Sequence, residues 1–326
     1  MSDKGSDNPS RIETHGIDII PETERQGHPR QLFWVWMAAQ FTISGIIIGQ
    51  LLLGLGLSLE DTIGVIIITS VSFVMVGLAS LPGTATLTIS RASFGVRGNG
   101  VPAFFSWLVL VGWESVAIVL TVNAWLLAAH LTKWPFQGTI PMLVALMFAL
   151  VMTFSIPILG NGTVMKVQQI LAYIMAFLVV LIFPLIGPKI DWNYAGANHL
   201  AAPQGTVATF ILACSIGIMS TSLSWKNYGS DYTRYFARNT SRKSIVWYTT
   251  CGGGLAAFLF LLLEVLLGTF INPSVFQGNP MSGKVALLPN WYVFPFFFVV
   301  VLGKIANNYM NSYNSSRSFL AMGFKL

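Results

Sequence analysis

Eight stretches of about twenty mostly apolar residues run through this chain, at roughly 33–57, 62–81, 102–130, 140–159, 167–187, 206–228, 245–271 and 291–311. A helix rises about 1.5 Å per residue, so each stretch is long enough to cross the roughly 30 Å hydrocarbon layer of a bilayer. Inside lipid every backbone N–H and C=O must find its partner within the protein, and a helix supplies those partners itself. The pattern therefore predicts an all-α polytopic membrane protein. Composition agrees, because 54% of the 326 residues are hydrophobic and only 9% are charged, too few to coat a water-facing globule.

Before the first apolar stretch, residues 1–31 are polar, mixed in charge and dotted with Pro and Gly. They read as a disordered cytoplasmic tail, followed by one transmembrane domain over residues 32–326. The two cysteines, Cys214 and Cys251, sit inside apolar runs and suggest neither a disulfide framework nor a thiolate metal site. The four histidines fall in the tail, at the rim of the third stretch and in a connector, with no HExxH-type spacing or paired carboxylates. No catalytic residues, metal ligands or enzymatic activity are expected.

Lysines and arginines orient the chain. With the N-terminus in the cytoplasm, thirteen fall in inside segments: Lys4, Arg11, Arg25, Arg30, Arg91, Arg97, Lys166, Arg234, Arg238, Arg242, Lys243, Arg317 and Lys325. Three, Lys133, Lys189 and Lys284, fall outside. This asymmetry follows the positive-inside rule and predicts a cytoplasmic N-terminus. It also accounts for the net charge of +6 without nucleic acid as a partner.

Polar residues inside the spans point to function. Span one carries QFTISG, Gln40 to Gly45, which serves either close helix packing or a break that frees backbone carbonyls for an ion. Span three carries Trp113 and Glu114, too deep for a headgroup belt. An ionised carboxylate at that depth costs about 2.5–3.5 kcal/mol on insertion scales, so Glu114 needs a partner, a cavity or a proton. Trp113 suits a flat wall for a ring-shaped ligand as well as it suits core packing. Glu264 and Lys304 lie inside spans seven and eight and are expected to pair with each other or with Glu114.

Span six becomes polar at STSLSWKNYGSDYTRYF, Ser220 to Phe236. On a continuous helix these hydroxyls would point in nearly all directions, so the reading is a helix interrupted near Ser220 to Trp225 and facing a cavity. Span eight repeats the pattern with Asn307, Asn308, Asn311 and Asn314. Their amides can donate to and accept from the edge of a nucleobase.

Four segments, ISRASFGVRGNGVPAF (Ile89 to Phe104), VGW (Val111 to Trp113), SWKNYGSDYTRYF (Ser224 to Phe236) and NSYNSSRSFLAMG (Asn311 to Gly323), resemble the nucleobase:cation symporter family, in its purine-cytosine permease branch. The resemblance implies a LeuT-type inverted-repeat fold with discontinuous spans one and six. It also implies cation-coupled uptake of a purine or pyrimidine base by alternating access, with hydantoin, allantoin or a vitamin as alternative substrates and a non-transporting receptor or sensor on the same scaffold as the alternative role. Carried over, Trp113 would stack the base, Ser222, Ser224 and Trp225 would line the site from span six, and Asn307 and Asn311 would read the ring edge. The coupling cation would lie near Thr42, Ser44 and Gly45. Where sodium-coupled relatives place span-eight hydroxyls this chain has Ala306 and Asn307, so a proton, with Glu114 as its acceptor, is the competing coupling ion. Family members usually have twelve spans, so eight spans imply a truncated product with its C-terminal helices missing and little transport on its own.

Overall fold

The computed structural model describes residues 12–42, 44–131, 138–196, 205–270 and 288–324. Within them the chain is helical: α1 Arg30–Gln40, α2 Ser44–Gly54, α3 Leu59–Val71, α4 Val74–Ala79, α5 Thr86–Ile89, α6 Arg91–Gly98, α7 Gly100–Leu131, α8 Thr139–Ser155, α9 Asn161–Ile186, α10 Thr206–Ile218, α11 Arg242–Gly268 and α12 Asn290–Ala321. Short polar signals set several starts. The Ser58 hydroxyl accepts from the Asp61 N–H at the head of α3, and Ser241 caps α11 in the same way.

Among the described residues, seven helical segments are long and apolar enough to cross a membrane. The first expected span supplies an eighth crossing in two pieces, α1 and α2, of 11 residues each. At about 1.5 Å per residue neither half reaches across a bilayer alone. The separation falls at Phe41, whose ψ of 68° leaves the helical region. Of the two readings of QFTISG, the break is the one the backbone adopts.

Burial sorts the helices into centre and periphery. Two-thirds of the apolar window of α11 and of α12 is buried (67% each), against 17% for α8. Helix α12 packs along α7 and touches α1, α8 and α9, while α11 packs on α1, α2, α3 and α4. Gly303 of α12 makes one of these approaches possible. A Cβ there would lie 2.1 Å from the carbonyl oxygen of Phe41, so only glycine lets α12 rest on the break in span one.

The composition of residues 12–31 reads as disorder, yet these residues are folded onto one end of the bundle. Ile20 is fully buried, the Glu13 side chain is 3% exposed, and Gly27 pairs with Phe236 as an isolated parallel bridge. The reason lies far along the chain. Glu13 meets Arg317 at 2.7 Å and Arg234 at 3.6 Å, and it accepts from the Tyr235 hydroxyl at 2.8 Å, the Tyr313 hydroxyl at 3.0 Å and the Asn161 N–H at 3.1 Å. Residues 1–11 lie outside the described residues.

Burial alone would raise the pKa of Glu13, but the charges of Arg317 and Arg234 and the hydrogen bonds to its oxygens outweigh it and hold the carboxyl below its ordinary 4.5. A carboxylate whose folded pKa is depressed stabilises the fold fully above its unfolded value, and that contribution is lost as pH falls through the depressed one. Thermal unfolding between roughly pH 3 and 5 should therefore show an acid-side loss of stability that Glu13→Gln flattens. An unchanged slope in the variant would remove Glu13 from this role.

Candidate functional site

Two cavities stand out, and their chemistry separates them. One, of about 260 Å³, lies between α7, α8 and α12 and is walled by Trp125, Phe148, Phe294, Phe298 and aliphatic neighbours. Phe294 and Phe298 are largely exposed on the bundle's outer surface, and among the described residues no amide or ionisable group lines this cavity. The second, of about 670 Å³, opens among spans one, three, six and eight and carries amides, hydroxyls and indoles. Its size falls in the roughly 300–1,000 Å³ range of small-molecule sites, and its mixed lining suits a ligand with a flat apolar body and a polar edge.

From α7, Trp113 enters the wall with about half its surface open (49%). From span six comes Trp225, which is buried and held edge-on by Trp36 at 5.8 Å and by Tyr228 at 6.2 Å between ring centroids. The two indoles line the same cavity from different helices. Asn307 and Asn311 line it from α12, where Asn307 donates to the Ala39 carbonyl at 3.1 Å and Asn311 donates to the side-chain oxygens of Asn307 and Asn308 at 3.3 and 3.2 Å. These bonds fix how the amides face the cavity.

Further polar side chains complete the wall. Gln40 ends α1 at the break, and its amide nitrogen, like the Thr42 hydroxyl beside it, is buried without a hydrogen-bond partner among the described residues. A buried donor left unpaired costs about 1–3 kcal/mol, so a ligand or water that pairs with it gains correspondingly. Tyr228 and Ser106 also line the wall and bond to each other at 2.8 Å. The sequence signal for Gln40 was its place at the start of QFTISG. Ser106 has no local pattern that marks it.

Span six departs from the unwound segment expected at Ser220 to Trp225. It continues as a single π-helical turn, Met219–Leu223, and then tightens into a 3₁₀ helix, Lys226–Tyr232. The hydroxyls are satisfied within the helix: Ser220 donates to Ile216 O, Thr221 to Gly217 O, and Ser224 to Met219 O five residues back. Such back-bonding removes the cost of carrying hydroxyls in an apolar span, and the wide turn re-aims the side chains that follow.

Ser224 lines the cavity, whereas Ser222 points away from it and meets the Ser72 hydroxyl at 2.6 Å on the neighbouring span. Ser222→Ala is accordingly expected to lower stability by about 1 kcal/mol while ligand affinity stays within about twofold, as unfolding midpoints and equilibrium binding would measure. An affinity loss without a stability loss would return Ser222 to the cavity.

Glu114 also lies off the cavity wall. It is buried between α7 and α12, where the Ser315 hydroxyl donates to its carboxylate at 2.6 Å and Asn308 donates to its backbone carbonyl at 3.3 Å. Of the pairings expected for the buried charges, Lys304 with Glu264 or with Glu114, the one with Glu114 gives way to these neutral partners. Lys304 and Glu264 are both buried in their helices. Thr42 lines the cavity, and Ser44 and Gly45 open α2, but the side-chain surroundings of residues 43–47 lie outside the described residues.

Comparison with known proteins converges on one group. The fold is similar to Mhp1, a nucleobase-cation-symport-1 family transporter solved in a closed conformation with bromovinylhydantoin bound, with a TM-score of 0.70 at 15% identity over 97% of this chain and 69% of that one. That likeness gives the chain the LeuT-type fold. YxlA of Bacillus subtilis, whose name assigns it to the purine-cytosine permeases, is 27% identical over 94% of this chain and 65% of its own length. The vitamin B6 transporter TPN1 of Saccharomyces cerevisiae is 25% identical over 94% of this chain and 55% of its own length. The chain thus spans between about half and two-thirds of the length of these curated relatives. The profile of the family described as permease for cytosine/purines, uracil, thiamine, allantoin matches residues 19–326, and this multi-pass membrane protein belongs to that family.

Proposed function

We propose that this chain forms the substrate-binding part of a secondary active transporter that imports a purine or pyrimidine base by cation-coupled symport. The observation that carries the reading is the meeting of Trp113 and Trp225 in one cavity with the amides of Gln40, Asn307 and Asn311. Indole faces stack on any planar π-system, and amides pair with ring edges that both donate and accept. Substrate would bind between the two indoles, and its differential affinity for the closed state would bias alternating access.

A proton is the proposed coupling ion and Glu114 its carrier. Glu114 follows Trp113 directly in the chain, and among the described residues its carboxylate is held by a neutral hydroxyl, with no cation within pairing distance. The break beside Thr42 supports sodium as the competing ion. Orientation is proposed with the N-terminal end of the bundle in the cytoplasm, since Arg25, Arg234, Arg242 and Arg317 converge there. A second reading, a hydantoin or a vitamin of the pyridine type as substrate, is favoured by the hydantoin-bound neighbour and the vitamin B6 transporter relative.

A ligand-stabilisation screen on the purified chain tests the reading. Bases, nucleosides, hydantoins and pyridoxine would be compared with and without sodium and across pH. Bases should raise the unfolding temperature most, with an effect that follows pH more than sodium. Stabilisation by amino acids alone would end the nucleobase reading.

A further inference from the structure

Below the cavity, on the face that carries the N-terminal segment, four rings stand in series. Trp225 of the cavity wall contacts Trp36 at 5.8 Å, Trp36 contacts Tyr232 at 5.3 Å, and Tyr232 contacts Tyr313 at 5.9 Å between centroids. Trp36, Tyr232 and Tyr313 are each at most 1% exposed. They come from spans one, six and eight, so any widening of the cavity toward this face has to part them.

The last ring is tied to the N-terminal segment. Tyr313 donates its hydroxyl to Glu13, whose carboxylate also holds Arg317 on α12 and Arg234 just after span six. The Gly16 carbonyl accepts from both arginines as well. One short stretch of chain thus fixes the separation of two helices that each contribute a ring to the barrier. Its seat is close. Gly160 has φ +86°, and a Cβ there would lie 2.5 Å from Glu13 Cβ, so the turn into α9 closes directly over the carboxylate. Farther along, the Ile20 N–H donates to Gly83 O and the Gly27 N–H donates to Tyr235 O, which fastens the far end of the segment.

We propose that residues 13–27 are a strap that locks this face of the cavity shut, and that the release of Glu13 from Arg317 and Arg234 is the movement that opens it. The carboxylate suits this task because its partners are spread over separate elements. While all are engaged, spans six and eight cannot separate. Once they are lost, two buried guanidiniums are left with only the neighbouring Asp231 carboxyl as counter-charge, and their mutual repulsion favours separation. The strap therefore sets the balance between two states of the cavity, independently of which ligand occupies it.

Cysteine accessibility in the full chain, reconstituted in lipid nanodiscs, tests the strap without any substrate. With Cys214 and Cys251 replaced by serine, Ala39→Cys reports on the cavity, since Ala39 lines it and is fully buried. Ala172→Cys reports on general loosening, since Ala172 is fully buried in α9 and lines neither cavity. Glu13→Gln is expected to speed alkylation of Ala39→Cys by a polar maleimide roughly tenfold, with Ala172→Cys unchanged. Tyr313→Phe, which keeps the ring and removes one bond to Glu13, should give roughly a threefold increase, and Glu13→Asp should fall between the parent and Glu13→Gln. If Glu13→Gln fails to fold, Tyr313→Phe and Glu13→Asp decide. Unchanged alkylation of Ala39→Cys in the folded variants, or a rise matched by Ala172→Cys, would overturn the proposal.

Discussion

Replacing Trp113 or Trp225 with alanine is expected to weaken base binding by roughly five- to 150-fold each, the range that base–aromatic stacking of about 1–3 kcal/mol sets. The two variants should differ in what else they lose. Trp113 leaves about half its surface open, so its removal deprives the ligand more than the fold. Trp225 is buried against Trp36 and Tyr228, so its removal also opens a gap beside the rings beneath the cavity. Competition binding paired with unfolding midpoints should show Trp113→Ala losing affinity at nearly constant stability, and Trp225→Ala losing both. Trp113→Phe should keep most of the affinity, because a flat face remains. Undiminished binding in Trp113→Ala would take that indole out of the site.

The second large effect is expected at Gly303. A side chain there meets the Phe41 carbonyl at 2.1 Å, in a place where neither partner is a flexible tip. Overpacking of a tight core costs about 1–3 kcal/mol and occasionally more, and a collision between two backbones lies at the upper end. Gly303→Val should therefore lower the unfolding temperature by many degrees or prevent recovery of monodisperse protein. Because α12 rests there on the break in span one, any folded remainder should also lose ligand affinity. A stable, ligand-binding Gly303→Val protein would show that the two helices are not in contact at this point. The same geometry explains a sequence feature that hydropathy cannot: a glycine directly before the buried Lys304, in a helix that would otherwise favour a larger residue.

Most spans were legible because lipid imposes one strong rule, that long apolar runs are helices. The stretch expected at 140–159 is the helical segment Thr139–Leu159, and the one expected at 206–228 lies within Thr206–Tyr232. The cavity was legible in part. Trp113, Ser224, Trp225, Asn307, Asn311 and Thr42 do line one space, since bulky or polar residues deep in apolar runs need a reason to be there. Polarity alone could not say which face a residue takes. Ser222 and Glu114 lie close in sequence to wall residues and yet turn to neighbouring helices, because a single step along a helix rotates the side chain by about 100°. The interruption of span six was over-read for a related reason. Hydroxyls can bond to their own helix, so four of them in five positions require a wider turn and no unwinding.

The N-terminal segment was the least legible part. Its composition matches that of disordered chains, and its order comes from partners such as Arg317 and Arg234 that lie some two to three hundred residues away. No local pattern marks a carboxylate that will be buried between two distant arginines.

Equilibrium binding of a radiolabelled purine or pyrimidine base to the purified chain in lipid nanodiscs tests the central claim most directly, with hydantoins, pyridoxine and leucine as competitors. The account predicts saturable one-site binding that planar heterocycles displace and leucine does not, and that Trp113→Ala weakens. Absence of saturable binding by any heterocycle, or displacement by leucine, would contradict it.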